Sequence, residues 1–338
     1  MITYPILKKD AMVGVTAPSS GVPDELHGIL KEAILSMEKK GYEIKCGETV
    51  WTQRKAKSAP ANKRAAELNH MLQDDNISLI IPPWGGQLLV EILDHIDFDL
   101  IKPKWILGYS DISVLLLAVT LKTGIAITAH GTNLVDLRGE HSDQTTAEWE
   151  NVLSTKEGAS VTQYSSPQFQ KAWDHESPSP VVFHLTEPTH WKAVGDSAVQ
   201  VEGRLLGGCI DVIRHLIGTP YGDIEDFVNI HTDNERILWY LENCELSSAD
   251  LRRTLVQMKL AGWFDQASGI MFGRSAANHT VGDYTVEDVY AELQEELNIP
   301  VLYDIDCGHQ PPQLTFINGS YGCVEVKDGE GRLKQIFK

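Results

Sequence analysis

The sequence predicts an α/β protein in which an N-terminal domain built on a parallel sheet is followed by a smaller C-terminal α/β domain. Three observations predict it. Short apolar runs without polar alternation recur in the first part of the chain, as strands covered on both faces require. Stretches with helical spacing separate them, and breaker-rich turns follow them. A chain of 338 residues is also long enough for two cores.

The elements follow in order. Met12 to Thr16 reads as a strand ending in the turn Ala17-Pro18-Ser19-Ser20-Gly21. Leu26, Ile29, Leu30, Ala33, Ile34 and Met37 then recur at helical spacing, with Gly41 as a stop. A strand at Tyr42–Lys45, a helix at Lys63–Gln73 and a buried strand at Ile77–Ile81 come next. That strand runs into Pro82-Pro83-Trp84-Gly85-Gly86, and a helix is expected near Gln87. Trp105–Leu107 is a strand, Ile112 to Val119 a helix and Ile125–Thr128 a strand. In such sheets ligands sit outside the carboxyl ends of the strands, where the Ala17–Gly21, Gly85–Gly86 and Ser110 turns all lie.

From about Glu140 to Trp191 periodicity decays, which divides the chain into a 1–150 domain, a 151–191 connecting loop or lid and a 192–338 domain. Order returns at Val201–Gly208 and a helix follows, then come strands at Arg236–Leu241 and Ser268–Phe272 and helices at Ser248–Leu260 and Val286–Leu297. The end is β-rich, over Pro300–Ile305, Gln313–Ile317, Tyr321–Val326 and Arg332–Phe337.

A net charge of −18 argues against nucleic-acid partners and against docking on anionic membranes. Five scattered cysteines without a C-x-x-C indicate neither a disulfide framework nor a zinc site, and point to a reducing cytoplasm. No export signal is visible, and no apolar run approaches the roughly 20 residues that span a bilayer. Neither a metal nor another cofactor is indicated.

Chemistry concentrates in Gly108-Tyr109-Ser110-Asp111, between an apolar strand and a helix. A serine at a sharp strand-to-helix turn stands clear of the sheet, beside backbone N–H groups able to hold an oxyanion. The same tetrapeptide also reads as an ordinary helix cap. A serine nucleophile needs a base and a group that orients it. Glu242 ends the strand Ile237–Leu241, and His309 sits in the loop Asp306-Cys307-Gly308-His309-Gln310-Pro311-Pro312-Gln313. Each alone is equally a solvated strand-end carboxylate or a surface histidine.

Ala17-Pro18-Ser19-Ser20, Gly85-Gly86, Gly108-Tyr109-Ser110-Asp111 and His130-Gly131 together resemble the LD-carboxypeptidase family of serine peptidases. So do Gly203-Arg204-Leu205-Leu206-Gly207-Gly208, Gly218-Thr219-Pro220-Tyr221, Leu241-Glu242-Asn243 and Gly308-His309-Gln310-Pro311-Pro312-Gln313-Leu314-Thr315, all in family order. The resemblance implies Ser110 as nucleophile, His309 as general base and Glu242 as its orienting group. It implies an oxyanion hole from the backbone N–H groups of Gly86 and Asp111, with Gly85 against the substrate. It further implies an active site between the domains, a homodimer and no metal. The chain departs from the family at Gln87, Thr132, Cys209 and Asn243.

Within the family the extra length over 140–191 resembles the branch that confers self-immunity to microcin C. There, aromatic rings stack on a nucleotide-like group, worth roughly 1–3 kcal/mol per base. Trp173 and Trp191 are the corresponding expectations. The expected function is a serine carboxypeptidase-type hydrolase that cleaves an amide bond in a small peptide or an aminoacyl-nucleotide. Cleavage of a murein tetrapeptide is the alternative, and a non-catalytic small-molecule binding protein a third reading.

Overall fold

The apolar runs assemble into two sheets. The computed structural model describes residues 2–124, 127–139, 142–171, 182–195 and 198–338. Strand order in the first sheet is Phe316–Ile317, Thr128–His130, Trp105–Gly108, Ile77–Ile81, Met12–Val15 and Glu43–Cys46. The five N-terminal strands run parallel, and only Phe316–Ile317 runs antiparallel to its neighbour. Val15 lies opposite Ile81, and Gly108 opposite His130. The turns that follow these strands therefore open along one sheet edge, as expected for a ligand site.

Two expectations shift. The strand expected at Ile125–Thr128 is Thr128–His130, because its register follows Trp105–Gly108 to its end; residues 125–126 lie outside the described residues. In place of the α-helix near Gln87 there is a 3-10 segment at Leu89–His95. The helix after the serine turn, Ser113–Thr123, has nine consecutive buried residues, Ser113 to Leu121. A helix that is apolar all round must be covered all round. It packs on Thr128–His130 of the first sheet and on Ala198–Cys209 of the second.

The second sheet has eight strands, in the order Ser160–Tyr164, Glu330–Ile336, Tyr321–Lys327, Ala198–Cys209, Ile237–Glu242, Ala267–Gly273, Val301–Ile305 and Lys192–Ala193. Ala198–Cys209 through Val301–Ile305 are parallel and the flanking strands antiparallel. The helices Ser248–Leu260 and Val286–Leu297 match their expected bounds, since Ser247 and Thr285 cap them by accepting the N–H groups of Asp250 and Asp288.

The 151–191 segment, read from sequence as a connector, contributes an edge strand to this sheet. Ser160–Tyr164 pairs with Glu330–Ile336. One of its inward positions is Gln163, whose amide binds the Thr315 N–H and C=O, both at 2.9 Å. A buried amide at a core-facing position is what hid the strand.

Phe316 joins the two bodies. It is fully buried, belongs to the first sheet, and stacks its ring on Tyr240 of the second with centroids 4.6 Å apart. Phe316→Ala is expected to lower unfolding free energy by about 3–5 kcal/mol, read as a shifted midpoint in denaturant titration.

Candidate active site

The serine turn is held under strain. Tyr109 is extended, whereas Ser110 takes the left-handed conformation at φ 63° and opens a 3-10 turn, Ser110–Ile112, before the helix. A non-glycine residue there costs roughly 1–2 kcal/mol and needs surrounding structure to hold it. Gly85 supplies part of that structure. A β-carbon at Gly85 would lie 2.7 Å from the Ser110 β-carbon and 3.1 Å from the Asp111 nitrogen. Only glycine lets this backbone close on the serine. Gly86 has φ 148° and lies against Ser19 and Ser20.

Ser110, His309 and Glu242, far apart in sequence, are brought into one hydrogen-bonded chain. His309 Nε2 lies 3.1 Å from Ser110 Oγ, and Nδ1 lies 2.8 Å from Glu242 Oε2. The carboxylate is acceptor-only, so Nδ1–H donates to it and Nε2 is left to accept from the serine. Glu242 ends its strand fully buried. Gly308, at φ 106°, lets the histidine loop lie on it, since a β-carbon there would come within 2.8 Å of the Glu242 β-carbon. Burial opposes charge on both partners. For His309 the buried Glu242 charge and contact with Cys244 overcome it, raising the imidazole pKa well above the ordinary histidine value. For Glu242, burial works upward, but His309, with help from His130 and Cys209, holds it below the ordinary value.

Behind the chain lies His130, fully buried, its ring packed on Tyr109 and Tyr240. Burial pushes its pKa down to about 4, against the pull of Glu242, so it is neutral near pH 7.

A second group of bonds fixes the loops around the serine. The buried Asp111 carboxylate accepts the Ser19 hydroxyl and the Leu89 N–H, the latter at 2.9 Å. Burial raises its pKa, and these bonds pull it back. Arg64, also buried, donates to the carbonyls of Pro18 at 2.8 Å and Leu88 at 3.0 Å and pairs with Glu91. Three turns from three strand ends are thereby locked together.

The histidine loop is anchored through Asp306. Its carboxylate takes the Ser166 N–H at 2.9 Å, the Ser166 hydroxyl at 2.6 Å, the Trp191 indole N–H at 2.8 Å and the Arg274 guanidinium at 2.7 Å. Arg274 also donates to the carbonyl of Gln310 at 3.2 Å. Trp191 is thus a correction to the sequence reading. It is 1 % exposed, sits in the second core and holds the loop through its N–H, so its ring has no free face to offer a ligand. Trp173 lies outside the described residues.

The chain of three opens into a cleft of about 420 Å³. Gly85, Gly86 and Gln87 line it, together with three residues that sequence reasoning did not single out as site residues: Trp84, Asp136 and Cys244. Trp84 follows two prolines and Cys244 follows Glu242 by two positions; neither carries a motif signal. Asn243 turns away, binding the Leu246 carbonyl and Asn278 at 2.8 Å each. Cys209 is buried, with its N–H on Ser113 Oγ at 3.0 Å. Among the described residues no Lys or Arg lines the cleft, and no cluster of His, Cys, Asp or Glu is arranged to hold a metal. No described helix is long and apolar enough to cross a membrane.

Comparison with known proteins places this geometry. A probable murein peptide carboxypeptidase of Bacillus subtilis is 28% identical, over 95% of this chain and 91% of its own length. The microcin C7 self-immunity protein of Escherichia coli is 26% identical over 82% of this chain and 80% of its own. The solved structure of a microcin C7 self-immunity protein with aspartyl sulfamoyl adenosine superposes with a TM-score of 0.81 at 22% identity, covering 100% of this chain and 99% of the other. Residues 13–131 match the profile of the LD-carboxypeptidase N-terminal domain and residues 202–324 that of the C-terminal domain. The chain therefore belongs to the LD-carboxypeptidase family of serine peptidases.

Proposed function

We propose that Ser110, His309 and Glu242 form the catalytic triad of an amide hydrolase acting on an aminoacyl-nucleotide or small peptide. The hydrogen-bonded chain from Ser110 Oγ through His309 to Glu242 carries this reading. Ser110 Oγ attacks the scissile carbonyl carbon as its proton passes to His309 Nε2. The oxyanion so formed is held by the backbone N–H groups of Gly86 and Asp111. His309 then returns the proton to the leaving nitrogen, and the acyl-enzyme is released by water that His309 deprotonates. Glu242 fixes the tautomer and stabilises the imidazolium.

For the substrate we favour an aminoacyl-nucleotide. The self-immunity relative and the aspartyl sulfamoyl adenosine complex support it. So does a cleft wall that includes the Trp84 ring. Murein tetrapeptide is the second reading, supported by the Bacillus relative.

Incubating the protein separately with an aminoacyl-sulfamoyl-adenosine and a murein tetrapeptide, with product detection by mass spectrometry, separates the two; cleavage of the nucleotide alone is expected. Ser110→Ala should reduce kcat by at least about 10³-fold while the melting curve stays in place. The pH profile of kcat/KM carries a further expectation. His309 must be neutral to accept the serine proton, and Glu242 raises its pKa. Activity should therefore rise with pH through a midpoint above the roughly 6.5 of a free histidine. Glu242→Gln removes the charge that raises it, so the midpoint should move to lower pH while kcat falls by about 10⁴-fold, as loss of the orienting carboxylate does in other triads.

A further inference from the structure

Asp136 stands in the wall of the same cleft with an unmet bonding capacity. It lies in the 3-10 segment Leu134–Leu137, capped by Asn133. One carboxylate oxygen, Oδ2, is used locally, accepting the Asn133 N–H at 3.3 Å. The other, Oδ1, is buried and has no hydrogen-bond partner among the described residues, and the residue as a whole is 2 % exposed. A buried acceptor left unmade costs about 1–3 kcal/mol, and more for a charged group. Such a group in a native protein calls for a reason.

The surroundings narrow that reason. Arg138 and His309 are the cations whose charges reach Asp136, but the Arg138 guanidinium donates to the Val135 carbonyl at 2.8 Å and, among the described contacts, forms no ion pair with the carboxylate. The Tyr109 hydroxyl helps to hold the Asp136 charge, and the ring of that tyrosine packs edge-on against His309 at 5.3 Å. One tyrosine side chain thus separates Asp136 from the catalytic histidine. Among the described residues lining the cleft, Asp136 is the only carboxylate and no Lys or Arg faces it. A metal ion would need further oxygen ligands, and no such cluster exists among the described residues. A donor that arrives with the ligand would complete Oδ1, and a charged N–H makes the stronger bond to a carboxylate.

We propose that Asp136 binds a protonated primary amine of the substrate, placing an ammonium group on the acyl side of the scissile bond against Oδ1. This rests on the hydrolase reading above and extends it: the cleft selects substrates by a free amine near the reacting carbonyl. The protein's net charge of −18 draws such cations towards it.

The test compares kcat/KM for an aminoacyl-sulfamoyl-adenosine and its N-acetylated form, in the wild type and in Asp136→Asn. A lysyl version acetylated at only one of its two amines distinguishes an α-ammonium from a side-chain ammonium. The wild type is expected to prefer the free amine by at least tenfold, and Asp136→Asn to bring that ratio close to one. A structural role would instead lower both activities together and keep the ratio, overturning the proposal. If Asp136→Asn does not fold, the wild-type ratio decides: a value near one overturns the amine subsite while the hydrolase reading stands. A wild type that cleaves neither nucleotide form nor the murein tetrapeptide overturns the hydrolase reading and the subsite with it.

Discussion

The short antiparallel pairing of Phe316–Ile317 with the strand that ends at His130 is the constraint on which the site depends. The chain leaves the second sheet at Ile305 and must reach the first by residue 316, and His309 lies on that crossing. Both ends are pinned. At the start, Asp306 gathers donors from Ser166, Trp191 and Arg274. At the end, Asn318 is fully buried and links the sheets: its Oδ1 accepts the Tyr240 hydroxyl at 2.7 Å and the Gly207 N–H at 3.2 Å, while its Nδ2 donates to Thr128 at 3.1 Å. The position of the imidazole is therefore set by two sheets and owes little to the loop's own preferences.

Burial then gives that position its chemistry. Glu242 meets His309 from a fully buried position, where attraction between unlike charges is stronger and a charged form is costlier alone, while His309 keeps one side open to the cleft. The same principle governs the serine side. Asp111 and Arg64 bury charge so that the Ala17–Gly21, Gly85–Gly86 and Ser110 turns hold their places. The strain at Ser110 is tolerated because these neighbours leave it little room to relax. Rigidity of this kind lets oxyanion donors act without reorganising during reaction.

Much of this was legible in the sequence where the signal is local. Ser247 and Thr285 announce helix starts through capping, and Ile77–Ile81 announces a buried strand through its unbroken apolar run. Ser110 could be read from its turn. Glu242 and His309 could not be chosen from local pattern alone, because their meaning comes from meeting across the sheets; the family resemblance selected them. Ser160–Tyr164 was hidden because its partner lies over 160 residues away and Gln163 fills a core-facing position. Trp191 misled for a related reason: an isolated aromatic in a polar stretch gives no sign of which side of it is covered. Asp136 reads from sequence as an ordinary capping residue, and its place in the cleft wall gives no local signal.

The crossing at residues 306–318 also bears on how this protein can change over evolutionary time. The two halves meet the usual description of separate domains, yet the last strand of the first sheet is Phe316–Ile317, beyond most of the second sheet, and the first strand of the second sheet lies before residue 165. A recombination event that joined the front half of one relative to the back half of another would swap one member of each pair while keeping its partner. Such chimaeras keep a sheet edge only where residues 128–130 and 316–318 still match. Descent with intact linkage of the two halves, and not shuffling of modules, is the inheritance this topology favours.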